Sequence, residues 1–182
     1  MELNEAKEIL KNAGYLLENR FGGGKDRFGH RIKLSDLEDK PDENGYITVE
    51  EIGDDNYKDY IGKCVNVTGD VCLSYLGLKE LPAIKFGKVG GVFDCSHNKL
   101  KNLEGAPEKV RRGFRCEFNK LTSLIGAPKS VGEEFTCSYN KLTTLEYAPK
   151  KVAEWFDCCE NAVKFTEDDV REVSNVKGMI IC

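Results

Sequence analysis

The chain's hydrophobic residues return at a fixed interval. Phe93, Phe114, Phe135 and Phe156 recur every 21 residues, and Cys95, Cys116, Cys137 and Cys158 follow each of them by two. The same interval carries Asn98, Asn119, Asn140 and Asn161, then Leu100, Leu121 and Leu142, then Leu103, Leu124 and Leu145. It also carries the pairs Ala106-Pro107, Ala127-Pro128 and Ala148-Pro149, and the column Val89, Val110, Val131 and Val152. Phe and Cys two apart put both side chains on one face of a short strand. The Asn tolerates a turn, and its amide can bond backbone groups of a neighbouring coil. The Leu pair lines the returning side, and the proline ends the unit. One unit cannot bury its apolar face alone, so four or five are expected to stack as a parallel-stranded solenoid with rungs about 4.8 Å apart. A degenerate earlier copy, Val71, Leu73, Leu76, Leu78 and Leu81 before Val89, is one residue longer, as suits an end repeat.

Written out, the unit F-x-C-x-x-N-x-L-x-x-L-x-x-A-P-x-x-V resembles the leucine-rich repeat core L-x-L-x-x-N-x-L, with Phe and Cys at the strand positions. Within that class it looks most like short repeats of tailed-bacteriophage proteins, and it is similar to those of secreted bacterial effectors that target host proteins. The resemblance covers residues 65 to 165 and speaks to fold more than function. It implies an accessory protein that binds and modulates or inhibits a bacterial host protein, located in the host cytoplasm. The step of four from Val110 to Phe114, where the effector-type repeat has three, predicts a bulged turn into each strand. The opening Leu3 to Leu10 with Ala13-Gly14-Tyr15 is similar to the start of many phage proteins.

The flanks read differently. Asn4 is a good N-cap, Ala6, Ile9, Leu10 and Ala13 make an apolar stripe, and Gly14 suits a helix end. Residues 20 to 40 are glycine-rich and charged, and Asn44-Gly45 predicts a hairpin between short strands. Thr166 and Asp169 form a capping-box-like start to a helix through Val173, expected to cover the open edge of the last coil. The expected fold class is α+β: a small N-terminal α+β region over residues 1–60, the solenoid over 61–165 and a C-terminal cap over 166–182.

Composition narrows the function classes. Of 182 residues, 40% are hydrophobic and 32% charged, a balance that favours a soluble globular chain. Met1 to Ala6 do not open a secretory signal, so the eight cysteines are expected to be reduced and intracellular. A net charge of −4 gives no global attraction to nucleic acid or an anionic membrane, so binding to either would need a local patch. Residues 1–60 hold 15 acidic and 9 basic side chains, net −6, and residues 61–182 hold 16 and 18, net +2. Lys109, Arg111, Arg112 and Arg115 form one basic cluster, but acidic neighbours flank it and no groove-reading motif accompanies it. Neither nucleic acid nor membrane is therefore an expected partner.

Candidate chemistry is sparse. One thiol per rung lies in a line, whereas zinc needs four ligands in a tetrahedron, so the ladder cysteines read as small core hydrophobes and no metal is expected there. Cys64, Cys72, Cys159 and Cys182 fall outside the ladder and form no C-x-x-C pair. A Cys95–His97 dyad would need an inward core thiol as nucleophile, which is a poor one. Bacterial effectors with such repeats add a cysteine-dependent ligase domain, and fewer than twenty residues follow the last repeat. No enzyme and no cofactor are expected. Gly22-Gly23-Gly24-Lys25 fails the phosphate-loop pattern at Asn19 and Asp26, although its glycines beside Lys25, Arg27 and Arg31 could hold an anion. Residues 40–51 resemble a calcium loop but begin on Lys40, where a carboxylate ligand belongs.

Alternation places three columns on the exposed strand face: Asp94, Arg115, Thr136 and Asp157; Ser96, Glu117, Ser138 and Cys159; and His97, Phe118, Tyr139 and Glu160. Successive rings beside Arg115 and Glu117 match the aromatic and arginine enrichment of interface hot spots. The competing reading packs these rings on the adjacent turn or on the N-terminal segment. The expected function is a non-enzymatic protein-binding module using Asp94, His97, Arg115, Glu117, Phe118, Tyr139 and Asp157. The alternative is an anion or calcium site within residues 22–51, with the solenoid as a spacer or oligomerisation surface.

Overall fold

The structure, a computed structural model, describes residues 41–182. The helix expected from Asn4, the glycine-rich stretch to residue 40 and the Gly22–Lys25 turn lie outside the described residues. Residues 41–182 form a solenoid of parallel strands with two sheets. The first contains β1 (Ile47–Val49), β2 (Cys64–Val67), β4 (Lys85–Val89), β6 (Lys109–Val110), β8 (Ser130–Val131), β10 (Lys151–Val152) and β12 (Asn175–Val176), in that order. The second runs β3 (Val71–Cys72), β5 (Phe93–Asp94), β7 (Phe114–Arg115), β9 (Phe135–Thr136), β11 (Phe156–Asp157) and β13 (Ile180–Ile181). Each repeat therefore supplies two strands. The step from Val110 to Phe114 is a corner between two sheets and not a bulge leading into one. The corner remains laddered, with Arg111 N–H donating to Val89 O at 3.0 Å and Arg112 N–H to Gly91 O at 3.2 Å.

Registry builds the core. Val67, Val89, Val110, Val131, Val152 and Val176 pair in sequence across the first sheet, and all are buried. Across the second, Ile52, Val71, Phe93, Phe114, Phe135, Phe156 and Ile180 form one column. The four phenylalanines are fully buried, which stabilises the fold by about 2–3 kcal/mol each. Phe93 stacks on Phe114 with centroids 5.3 Å apart. The asparagines close the remaining polar balance. Asn119 Nδ2 donates to Cys95 O of the preceding rung at 2.9 Å and to Cys116 O of its own at 3.2 Å, while its Oδ1 accepts from Leu100 N–H at 3.0 Å. Asn98, Asn140 and Asn161 repeat this pattern.

Both ends differ from expectation. Asn44-Gly45 forms a turn, with Gly45 at φ +80° and Asp42 N–H donating to Tyr46 O. The strand after it does not fold back as a hairpin: β1 pairs in parallel with β2, because its Ile47 and Val49 join the apolar column of the stack. The strand stack thus begins within residues 1–60. At the other end, α1 (Glu167–Val173) carries the expected capping box between Thr166 and Asp169 and buries Val170. The chain continues into β12 and β13, which add a rung beyond it, so the helix occupies the returning side of that final coil.

Candidate functional site

The residue before each ladder asparagine, and Tyr75 at the equivalent place in the end repeat, sits where the chain turns sharply off the second sheet. Its backbone is left-handed on five successive rungs: Tyr75 at φ 60°, His97, Phe118 and Tyr139 each at 53°, and Glu160 at 52°. An L-residue there costs about 1–2 kcal/mol, which on the four rungs from His97 to Glu160 the bonds of the adjacent asparagine offset. The geometry projects each side chain outward, directly above that of the rung below. Four of the five are rings, and they stack face to face. Tyr75 lies on His97 at 4.2 Å between centroids, His97 on Phe118 at 4.4 Å and Phe118 on Tyr139 at 4.3 Å, with interplanar angles of 9°, 10° and 7°. Tyr75, Phe118 and Tyr139 are 73%, 43% and 49% exposed. The rings therefore pack on each other and still present their edges to solvent.

The expected charged residues flank this ladder but are already engaged. The Asp94 carboxylate accepts from the amide and hydroxyl of Ser96 at 2.9 and 2.7 Å, and Asp157 accepts from the Cys159 amide at 3.0 Å. Glu117 accepts from the Thr136 hydroxyl. Arg115 donates from Nε and Nη2 to Oε1 of Glu134 at 3.0 and 2.7 Å. Glu134 is buried, and its carboxyl group fills the space left by the missing side chain of Gly113. Burial works against the Arg115 charge, but Glu134 together with Asp94 and Glu117 outweighs it and holds the guanidinium proton more tightly. Arg115 is thus a fixed feature of the face, with one edge open.

Other candidates resolve in structural terms. Burial pushes the thiols of Cys95, Cys116 and Cys137 well above their ordinary range. The Cys95 thiol donates to Arg115 O while the His97 ring is held in the stack, so the two do not form a dyad. In the calcium-like stretch, the Asp42 carboxylate accepts from the amides of Asn44 and Tyr46 and from Asn66 Nδ2, which draws its pKa down. That carboxylate is spent on its own turn. Among the described residues no group of three His, Cys, Asp or Glu side chains converges as a metal site. No helix of the described residues is long and apolar enough to cross a membrane.

The basic cluster read from the sequence is split. Arg112 pairs with Glu133 at 3.3 Å at the corner, and Arg115 pairs with Glu134 on the second sheet. Lys109 and Arg111 instead join Lys88 around a cleft of about 590 Å³ on the outer side of the first sheet, where Thr48, Asn66 and Thr68 supply neutral polar groups. Lys151 continues the Lys88–Lys109 column through Ser130, and Lys177 lies in the next rung. The first sheet has a cationic outer side, and the second carries the ring ladder.

No family model matches the chain, and no curated protein or solved structure is detectably similar to it. The structure brings His97, Phe118 and Tyr139 together, with Asp94, Arg115, Glu117 and Asp157 beside them. The sequence reading missed Tyr75, which lies 22 residues before His97 where the interior offset is 21; the longer end repeat carries that signal. It also missed Glu134, whose neighbours along the chain give no sign that it reaches back to Arg115.

Proposed function

We propose that the chain is a protein-binding module whose contact surface is the ring ladder Tyr75–His97–Phe118–Tyr139 with its rim of Asp94, Arg115, Glu117 and Asp157. The observation that carries this reading is the exposure of a pre-stacked row of rings. Their rotamers are restricted before any partner arrives, so little side-chain entropy is lost on binding. Aromatic anchors with an arginine beside them are what interface hot spots use. The similarity of the repeat to phage proteins directs the search for a partner to bacterial proteins. The double variant Phe118→Ala, Tyr139→Ala should abolish capture of the partner from bacterial lysate while circular dichroism remains that of the folded chain. Undiminished capture by the folded double variant would sink the reading.

A second reading rests on the cationic outer side of the first sheet, which would meet an acidic protein surface around Lys88, Lys109 and Arg111. The two separate by ionic strength. Exposed charges are screened within about 8 Å at physiological salt, so capture through the lysines should fall steeply between low and high salt. Capture through the rings should persist, because apolar contact is strengthened and not screened by salting-out ions.

A further inference from the structure

Cys182, which lies outside the 21-residue register, completes the cysteine column. Phe156 faces Ile180 and Asp157 faces Ile181 across neighbouring parallel strands, so Cys158 and Cys182 face each other one step further on. The three-residue excess of the last coil, 24 in place of 21, accommodates α1 and hides this match from any fixed-offset search. The Sγ atoms of Cys158 and Cys182 stand 3.5 Å apart. Neighbouring strands lie about 4.7–4.9 Å apart, within the range of Cα separations that a disulfide spans. Cys158 is itself buried and its thiol lies 3.6 Å from Ile181 O, as those of Cys95 and Cys116 point at the carbonyls of Arg115 and Thr136; what sets it apart is the half-buried Cys182 beside it. The Cys158–Cys182 pair opens on a cavity of about 320 Å³, also lined by Cys159, Glu160, Lys164 and Phe165.

We infer that Cys158 and Cys182 are an oxidisable dithiol site that takes a small disulfide such as oxidised glutathione. Cys182, the half-buried member, attacks first: its thiolate displaces one glutathione thiolate and leaves a mixed disulfide on Cys182. Cys158 then attacks Sγ of Cys182, and the second glutathione thiolate leaves. Two protein S–H groups become one S–S bond, the small disulfide is reduced to two thiols, and the two protons end on those thiols or in solvent. Burial, followed by the adjacent Cys182, pushes the Cys158 thiol up, which makes it the slower, resolving partner. The bond would tie the final rung to the one before it. That rung needs such a tie: β13 pairs on one side only, and Met179 and Ile181 are exposed.

The test uses the whole chain, reduced, desalted and incubated with oxidised glutathione, followed by intact mass and unreduced peptide mapping. The expected product has lost two hydrogen atoms, links the peptides of Cys158 and Cys182, and reverts with a thiol reductant. Cys159→Ser should form the same link and Cys182→Ser none. Hydrogen exchange at Asn175–Ile181 should slow in the oxidised form. Exposed Cys72 reports that the reagent is active. If Cys72 is capped while Cys158 and Cys182 stay free, if Cys182 halts at the mixed disulfide, or if Cys159→Ser loses the link, the inference is overturned.

Discussion

The ring of Phe118 stacks on that of Tyr139 with 4.3 Å between centroids and 7° between planes, and its other face meets His97. An aromatic pair contributes about 0.5–1.5 kcal/mol beyond its buried area. Phe118→Ala breaks two such contacts and should lower stability to urea by roughly 1–2 kcal/mol. Tyr75→Ala removes one contact at the end of the row and should cost under about 1 kcal/mol. Equal losses would show that the rings do not stabilise one another.

The Asn119 amide holds three carbonyls and the Leu100 amide in a buried setting. Asn119→Ala strands buried polar groups on two rungs and should destabilise by about 2–4 kcal/mol. Asn119→Asp keeps the acceptor but loses the donors and brings a charge into the core, so it should be at least as harmful. Equilibrium unfolding checks the order; a small effect from alanine would mean that water replaces the amide.

Three of the four buried thiols, those of the interior rungs, make the fold sensitive to alkali. Cys95, Cys116 and Cys137 hold their protons well above the ordinary range in the folded chain, whereas an unfolded thiol releases its proton near pH 8.5. Above that pH the folded state binds more protons, so stability falls as pH rises, by up to about 1.4 kcal/mol per unit for each thiol. Below about pH 8 these groups contribute no slope. Unfolding free energy measured from pH 7 to 10 should bend downward, and Cys116→Ala should show a shallower fall. Parallel curves for the two proteins would refute the assignment.

At the other end of the pH scale, Asp169 accepts from the hydroxyl and amide of Thr166, which holds its carboxyl below the usual range. The contribution of this cap is present above the ordinary carboxylate pKa and is lost as pH falls through the depressed one. Hydrogen exchange in α1 should therefore accelerate in acid, and Thr166→Ala should show fast exchange already at neutral pH. Exchange in α1 that ignores both changes would assign its protection to Val170 packing alone.

Much of the fold was legible because a solenoid repeats its own environment. Phe114 and Phe135 meet identical neighbours, so identical residues recur, and the period reveals itself. The ends were less legible for the same reason. Tyr75 and Cys182 belong to columns whose spacing is 22 and 24, and an offset search tuned to 21 passes over both. Ile47 joins the stack through β1 with no period at all, its parallel pairing to β2 being decided by which strand has a free edge. The exposed site was half legible: alternation located His97, Phe118 and Tyr139, but whether rings one rung apart stack or splay depends on backbone torsion.

By itself the sequence determined the strand that begins at each repeat phenylalanine, the buried Phe, Cys, Leu and Val columns and the asparagine turn, since apolar spacing dictates which face each residue must bury. Only the tertiary structure decided the rest. It split each repeat across two sheets at the corner after Val110, divided the run Lys109 to Arg115 between those two sheets, and paired Arg115 with Glu134. It also brought Cys158 to Cys182. All of these are contacts between coils, and a contact between coils depends on the register of one rung on the next, a quantity that no single repeat encodes.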